Sequence, residues 1–537
     1  MDTVAYDRSS QALRALHAYQ IGGLPLLQPL LTALQVREIV NEVVPSQADV
    51  ELGQLVVLLV LNRLLAPQPL YELQGWLAET VLPEVLGIAT AQAYDNRFGR
   101  ALDHLYPYLG ELWRRLVSQA IVVYGLDVTI LHWDITSVYF EGAYAASELV
   151  SYGYSRDQRP DRKQINLEVD VTHADAVPVL YHVLTGHTAD VTRPLPHLTA
   201  LLHFLARPEL AAQQLRPLLV SDRKLITAEA VLACHKHQLY YLAPLADAGG
   251  VAAVLRSVSV AELAAHPLPY RPQRVKASDA RFVPYQGVWR PFTFTAAGEQ
   301  VTDRVLVVWS QGKQQLDAAK RKACLKRLLN GLAAIQQKLN TRRYKQHAYV
   351  AQRISACQQG NPMQPLVDVS LGGQDGVLTL TFAVNRTRLA EAQAQDGRYV
   401  LATNAPQLSA NDVLTLFKGQ DKVEKRFRTV KGPLLVHPLF VHSDQRIEGL
   451  VFITLLALLI RAILERLCRQ HSFPLSAERL LRSFATLQAV DITWSDGSVQ
   501  RRAAEMNAFQ AQVLHRLDWP LPAAYAMLTA QRADAAG

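Results

Sequence analysis

Long apolar runs, cysteine and methionine are all scarce in this sequence. The longest uninterrupted apolar stretch, residues 449–460 (GLVFITLLALLI), falls short of the roughly 18–20 residues that cross a bilayer, and Arg461 and Glu465 then interrupt it. It reads as a buried helix in a soluble protein, with no membrane partner. The four cysteines, Cys234, Cys324, Cys357 and Cys468, are far apart. Their spacing excludes a CxxC-type zinc pair and a dense disulfide frame, and a reducing compartment is the simpler reading. The opening residues, MDTVAYDRSSQ, lack the charged-then-apolar shape of a signal peptide, so the expected location is the cytoplasm. No internal repeat or low-complexity tract is evident.

What is present is a chain of 537 residues, half of them hydrophobic. That length accommodates about two to four domains with a sizeable core, and the composition argues against disorder. Lys and Arg number 55 against 47 Asp and Glu, for a net charge of +8 and a pI near 9.2. The excess is mild, so where the charge clusters matters more than its total.

Residues 1–125 read as helical throughout. Segments 12–19, 26–43, 51–65, 70–82 and 101–124 carry apolar residues at three- and four-residue spacing, broken at Gly22-Gly23, Pro45, Pro67 and Pro69. Arg63, Arg97, Arg100, Arg114 and Arg115 are scattered through them, as a DNA grip or as a solvated bundle surface. From residue 126 the period changes. Segments 128–135, 164–172 and 177–184 read as strands, 190–205 as a helix, 215–220 as a strand, 227–237 as a helix and 239–242 as a strand. This order fits a ribonuclease-H-like α/β sheet, and other mixed α/β cores as well. Residues 246–397 read as an insertion, with strand-like 305–309, 367–371 and 377–384 around a helical stretch, 314–357. Within it stand eleven basic residues, Lys313, Lys320, Arg321, Lys322, Lys326, Arg327, Lys338, Arg342, Arg343, Lys345 and Arg353, against one acid, Asp317. They form either a solvated helix face or a surface whose mutual repulsion nucleic-acid phosphates relieve. Residues 398–403 read as a strand, and 409–430 as a helix opened by Ser409 with Asp412 in its first turn. Residues 445–468 read as the apolar helix, and 471–537 as a tail with helices and a hairpin at Asp496-Gly497.

Three carboxylates stand out. Asp134 sits at or just past the end of an apolar strand, in TILHWDITSVYF (129–140), and Asp222 repeats the pattern after 215–220. Strand-end and helix-capping roles compete with chemistry for both. Glu424 lies beside the apolar stripe Val413, Leu416, Val423, Phe427 and Val430. It is flanked by Lys422, Lys425, Arg426 and Arg428, which also suits an intrahelical ion pair. Asp and Glu are the ligands of hard cations such as Mg²⁺ or Mn²⁺, and two such ions support phosphodiester cleavage.

The pieces LHWDITSVYFEGAY, GYSRDQRPDRKQINL, LTGHTADVT, VSDRKLIT, YVLATN, LFKGQDKVEKRFRTVKGPL and RIEGLVFITLLALLI resemble bacterial insertion-sequence transposases of the DDE type. The branch is the insertion-sequence sixteen-thirty-four type of the insertion-sequence-four superfamily. The segments LPLLQPLL, LVVLLVLNRLLAPQPLYEL and NRFGRALDHL are similar to its N-terminal helical domain, so the resemblance spans residues 20–470. It implies a ribonuclease-H-like core (126–245 and 398–470), a β-rich insertion (246–397), an all-α N-terminal DNA-binding domain (1–125) and a helical C-terminal region (471–537). It implies a catalytic and metal-binding set of Asp134, Asp222 and Glu424 holding two Mg²⁺ or Mn²⁺ ions. The implied partners are double-stranded DNA, both terminal inverted repeats and target, and a second copy in a homodimer; the implied location is the nucleoid. Lys425, Arg428, Lys431, Arg342, Arg343 and Lys345 are the expected DNA contacts. The superfamily's Tyr-x2-Arg-x3-Glu-x6-Lys signature falls on Phe417, Gln420, Glu424 and Lys431, so its Tyr and Arg are missing. Glu448 competes for the third acid but precedes an almost wholly apolar helix, where a structural role at the helix start is more natural. Arg156, Asp157 and Asp161 also match family residues, and Trp133 and His187 read as structural. A metal nuclease of the same fold and an inactive DNA-binding derivative remain the rivals.

Overall fold

The computed structural model describes residues 12–211, 215–222, 226–245, 250–272, 275, 282–434 and 441–521. The opening MDTVAYDRSSQ, Arg223–Leu225 of the VSDRKLIT motif, most of the 433–438 loop and the last sixteen residues lie outside them. The chain divides into two compact units, residues 1–220 with 419–537, and residues 221–418.

The first unit opens with strand β1 (Leu13–Gln20) rather than the expected helix. Its apolar residues are largely exposed, Leu16 at 60%. What fixes it is pairing: it runs antiparallel to β13 (Gln488–Trp494), which pairs in turn with β14 (Val499–Ala503). The β13–β14 turn is the expected hairpin at Asp496-Gly497. Helices α1 (Leu24–Ala33), α2 (Val36–Val43), α3 (Leu52–Leu65), α4 (Leu73–Ala78), α5 (Leu82–Leu86), α6 (Asp95–Leu105) and α7 (Leu109–Tyr124) follow. Gly125 ends α7 in the left-handed region, at φ 56, which glycine adopts at little cost.

A meander of β2 (Ile130–Phe140), β3 (Lys163–Thr172) and β4 (Pro178–Thr185) comes next, then helices α8 (Pro194–Leu205) and α9 (Pro208–Ala211) and strand β5 (Leu218–Ser221). In this unit the strand order is β4-β3-β2-β5, with β2–β3 and β3–β4 antiparallel.

The second unit holds α10 (Ala228–Lys236), β6 (Tyr240–Pro244), α11 (Val251–Arg256), α12 (Val260–Ala264), β7 (Pro267–Leu268), β8 (Tyr285–Ala296) and β9 (Glu299–Trp309). Thr227 caps α10, accepting from the Ala230 amide, so the capping role weighed for Asp222 falls to Thr227. The basic stretch forms α13 (Gln311–Gln336) and α14 (His347–Gln358). Strands β10 (Val367–Gln374) and β11 (Val377–Val384) form a hairpin, and Leu328, Leu332, Val350, Ile354, Leu378 and Leu380 build a small core of their own. Then come α15 (Arg386–Gln395), β12 (Arg398–Thr403) and α16 (Ala410–Lys418). This unit's strand order is β6-β12-β9-β8-β7.

The chain returns to the first unit with α17 (Asp421–Thr429), a π-helical turn Val430–Leu434, α18 (Asp444–Gln470), α19 (Ala477–Phe484) and α20 (Ala508–Leu517). The single helix expected over 409–430 is thus two, separated at Gly419-Gln420. α18 is longer than its apolar run and is long and apolar enough to cross a membrane, but 94% of its most apolar window is buried inside the protein. It packs against α1, α3, α6 and β4, and Phe452, Leu455, Leu456 and Leu459 are fully covered.

Candidate active site

Asp134 is the fifth of eleven residues in β2. The strand runs on through Thr136 and Ser137 to Phe140, so the carboxylate lies mid-strand, not at the strand end that the sequence indicated. The β-branched and aromatic residues beyond it, paired with β3 up to Lys163, keep the backbone extended. Asp134 is half-buried, and its Oδ1 accepts the Ile135 amide at 2.8 Å.

Side chains alternate along a strand, so His132, Asp134 and Thr136 share one face of β2, and Trp133 and Ile135 the other. Helix α17 lies on the face of His132 and Asp134. Gln420, at its N-terminus and 9% exposed, ties it there. The Gln420 amide Nε2 donates to the Trp133 carbonyl at 2.8 Å, and its Oε1 pairs with His132 Nδ1 at 2.9 Å. His132 Nε2 meets His173 Nδ1 at 2.8 Å. With Gln420 Oε1 only able to accept, the chain has one consistent sense: His173 donates to His132, and His132 donates to Gln420. Burial pushes the His132 imidazole down to about 4, and burial and Lys422 lower His173, so both rings are neutral at pH 7.

Further ties hold α17 down. Lys422 Nζ donates to the His173 carbonyl. Arg426 donates to the Ala176 and Asp175 carbonyls at 2.8 and 2.9 Å and pairs with Glu465 of α18 at 2.7 Å. Asp175, in the β3–β4 turn, takes Arg466 and Arg469 of α18. Burial opposes its ionisation, but the two guanidiniums hold its carboxyl below the usual range.

Glu424 is exposed on α17. Gln420, Val423, Phe427 and Val430 are the buried stripe, and Glu424, one turn after Gln420, borders it. The first unit therefore brings Asp134 and the Glu424 helix to the same face of β2. Asp222 follows β5 in the second unit and is half-buried. Glu448, the competitor, is half-buried on α18, and burial and Asp444 raise its carboxyl.

The expected DNA contacts divide. Lys431 is bound by Asp157, with Nζ 2.7 and 2.9 Å from the two carboxylate oxygens. Lys425 pairs with Asp421 at the surface, and Arg428 is exposed. Lys422 and Arg426, read as part of the basic flank, are internal ties instead. In the second unit Arg342, Arg343 and Lys345 are all exposed on the turn between α13 and α14. Of the basic run, Arg321 is buried against Asp396 and Lys313 pairs with Asp317. Arg156 pairs with Asp190 and Asp161 with Arg159. Trp133 is buried, as expected, and His187 meets Ser151 Oγ at 3.0 Å.

Sequence reasoning passed over a second polar group, on the other face of β2. Glu168, Asp170, His182, Arg193 and His197 gather there beside Trp133. The visible signal was Asn166, Glu168, Asp170 and Thr172 at alternate positions of an otherwise apolar strand.

A model of a family described as a domain of unknown function, DUF4277, matches residues 16–118, from β1 into α7. No curated protein matches the chain. Among solved structures, a piggyBac transposase synaptic complex with hairpin DNA is similar at 8% identity, with 88% of this chain and 82% of that one covered and a TM-score of 0.42. A pre-cleavage Mos1 transpososome is similar at 15% identity, with 37% of this chain and 60% of that one covered and a TM-score of 0.16. With TM-scores this low, neither similarity decides the fold or the chemistry.

Proposed function

We propose that the chain is a DDE-type DNA transposase, which cleaves the ends of an insertion sequence and joins the freed 3′-hydroxyl to target DNA. The observation that carries this reading is the seating of α17 on β2. It brings the helix that carries Glu424 onto the face of β2 that carries Asp134, and the sequences of both elements resemble insertion-sequence transposases. The order β4-β3-β2-β5 supports a ribonuclease-H-like core. Asp134, Asp222 and Glu424 would hold two divalent ions, Mg²⁺ or Mn²⁺, since their carboxylates suit hard cations. When bound, such ions neutralise the phosphate and activate the attacking oxygen.

In this reading the chain's own residues do three things. Neutral His132 and Gln420 position α17, and with it Glu424. The exposed Arg342, Arg343, Lys345 and Arg428 contact phosphates, which position DNA without reading its sequence. Lys431 reaches a phosphate only after exchanging its Asp157 partner, which makes that pair a reserve rather than a standing contact. Two ends cut in concert require a homodimer on paired DNA, in the cytoplasm of a bacterium.

A strand-transfer assay tests the proposal. DNA carrying the inverted repeats that bracket the coding sequence is supplied pre-cut, with Mg²⁺ and target plasmid. Joined product supports a transposase. Cleavage of intact ends without joining assigns a nuclease, and binding without either reaction assigns an inactive derivative.

A further inference from the structure

The face of the sheet behind Asp134 carries a cluster that DNA chemistry does not use. Directly opposed residues of antiparallel strands share a face. Trp133 opposes Asp170 and Ile135 opposes Glu168, whereas Asp134 opposes Val169. Glu168 and Asp170 therefore point away from the Asp134 side. They are 0% exposed.

Glu168 is fully engaged. Its Oε2 accepts from Arg193 Nη2 at 2.8 Å and its Oε1 from Trp133 Nε1 at 3.1 Å. His182 Nδ1 is 3.1 Å from Oε2, and His197 Nδ1 is 3.8 Å from Oε1. His197 is wholly buried and stacks on Trp133, with centroids 3.9 Å apart and planes 7° from parallel. Its Nε2 lies 3.3 Å from Asp170 Oδ1. Yet neither oxygen of Asp170, neither nitrogen of His197 and not His182 Nδ1 makes a well-formed hydrogen bond. Five such atoms in one buried place need an explanation, since buried polar atoms are almost always satisfied.

We propose that this cluster is a transition-metal site of the zinc class, separate from the proposed catalytic ions. The ligands are one oxygen of Glu168, Nδ1 of His182 and Nδ1 of His197. Ligand atoms of these three residues already lie within 4.8 Å of one another. Nitrogen and oxygen ligands about 2.0–2.2 Å from one tetrahedral zinc ion sit about 3.3–3.6 Å apart, so side-chain shifts of about 1 Å close the site. Two imidazoles and a carboxylate favour zinc or its first-row neighbours over Mg²⁺. Asp170 then has a role: it accepts the Nε2 proton of His197, the carboxylate–histidine–metal arrangement that orients such ligands. Arg193 and Trp133 orient the Glu168 carboxylate in the same way. The ion joins β3, β4 and α8 behind the strand that carries Asp134, and so stiffens that strand from its far face.

The test uses the full chain carrying Asp134→Asn, stripped with a chelator and titrated with Co²⁺ under excess Mg²⁺. One equivalent of Co²⁺ gives visible ligand-field bands, and Zn²⁺ abolishes them. His182→Gln removes a ligand from a side chain that is one-third exposed, keeps the fold by circular dichroism, and loses the bands. Asp170→Asn keeps the bands but weakens Zn²⁺ binding about 10–100-fold. The protein as purified contains one zinc per chain, and stripping it lowers the melting temperature. Absence of bands in the parent protein overturns the proposal. Bands that persist in folded His182→Gln overturn it as well. Neither result bears on whether the chain transposes DNA.

Discussion

Replacing Gln420 with alanine separates the seating of α17 from its sequence. The side chain makes two hydrogen bonds, to the Trp133 carbonyl and to His132. Each is worth about 0.5–1.5 kcal/mol net. The truncation also strands the buried Nδ1–H of His132, which costs about 1–3 kcal/mol. Lys422 and Arg426 still hold the helix farther along, so the first turn loosens while the domain stays folded. The expected loss of stability is about 2–3 kcal/mol, read as a shift of the urea midpoint with an unchanged slope. Cleavage falls further than stability explains, because a misplacement of about 1 Å at reacting groups costs about 10²-fold. The assay is Mg²⁺-dependent cleavage of end DNA, scaled to the folded fraction. Gln420→Ala protein that is destabilised but cuts at the parental rate per folded molecule refutes the argument that α17 positions a reacting group.

Three further outcomes follow from the same geometry. The His132 imidazole sits at about 4 when folded and near 6.5 when unfolded. Between these values the unfolded chain binds the extra proton, so stability falls as pH drops from 6.5 towards 4, and His132→Asn flattens that slope in urea titrations at stepped pH. Changing Arg342, Arg343 and Lys345 together to alanine weakens DNA binding across all sequences and lowers the slope of log K against log salt by about 0.9 for each phosphate no longer neutralised, measured by anisotropy at several salt concentrations. Asp175→Asn leaves Arg466 and Arg469 without their half-buried anionic partner and costs about 1–3 kcal/mol in denaturant titrations.

Elements with local causes were legible in the sequence. The N-terminal helices followed from apolar spacing, and the 367–384 hairpin and the strands of the meander from β-branched runs. Segment 12–19 was misread because its partner, β13, is nearly the whole chain away, and no local pattern records that pairing. Gly419 broke the helix expected over 409–430, and the apolar stripe bridged the break and hid it. Asp134 read as a strand end because the polar pair after it resembles a turn, whereas pairing with β3 carries the strand onward. Gln420 was the clearest loss. As a departure from a signature it suggested a missing DNA contact, whereas its folded role is to bind β2. The Glu168 cluster left a trace in alternating polar residues, but His182 and His197 come from other elements and only folding assembles them.

The central claim is that Asp134, Asp222 and Glu424 act as one metal-binding set. Its most direct test is Mg²⁺-dependent cleavage of end DNA by Asp134→Asn, Asp222→Asn and Glu424→Gln, each shown to be folded and to bind DNA like the parent. The account predicts that every one of the three falls to background and that any pair is no worse than a single change, as for residues acting as a unit. A folded variant of any one of them that still cleaves at the parental rate contradicts it, and if that variant is Glu424→Gln, attention passes to Glu448.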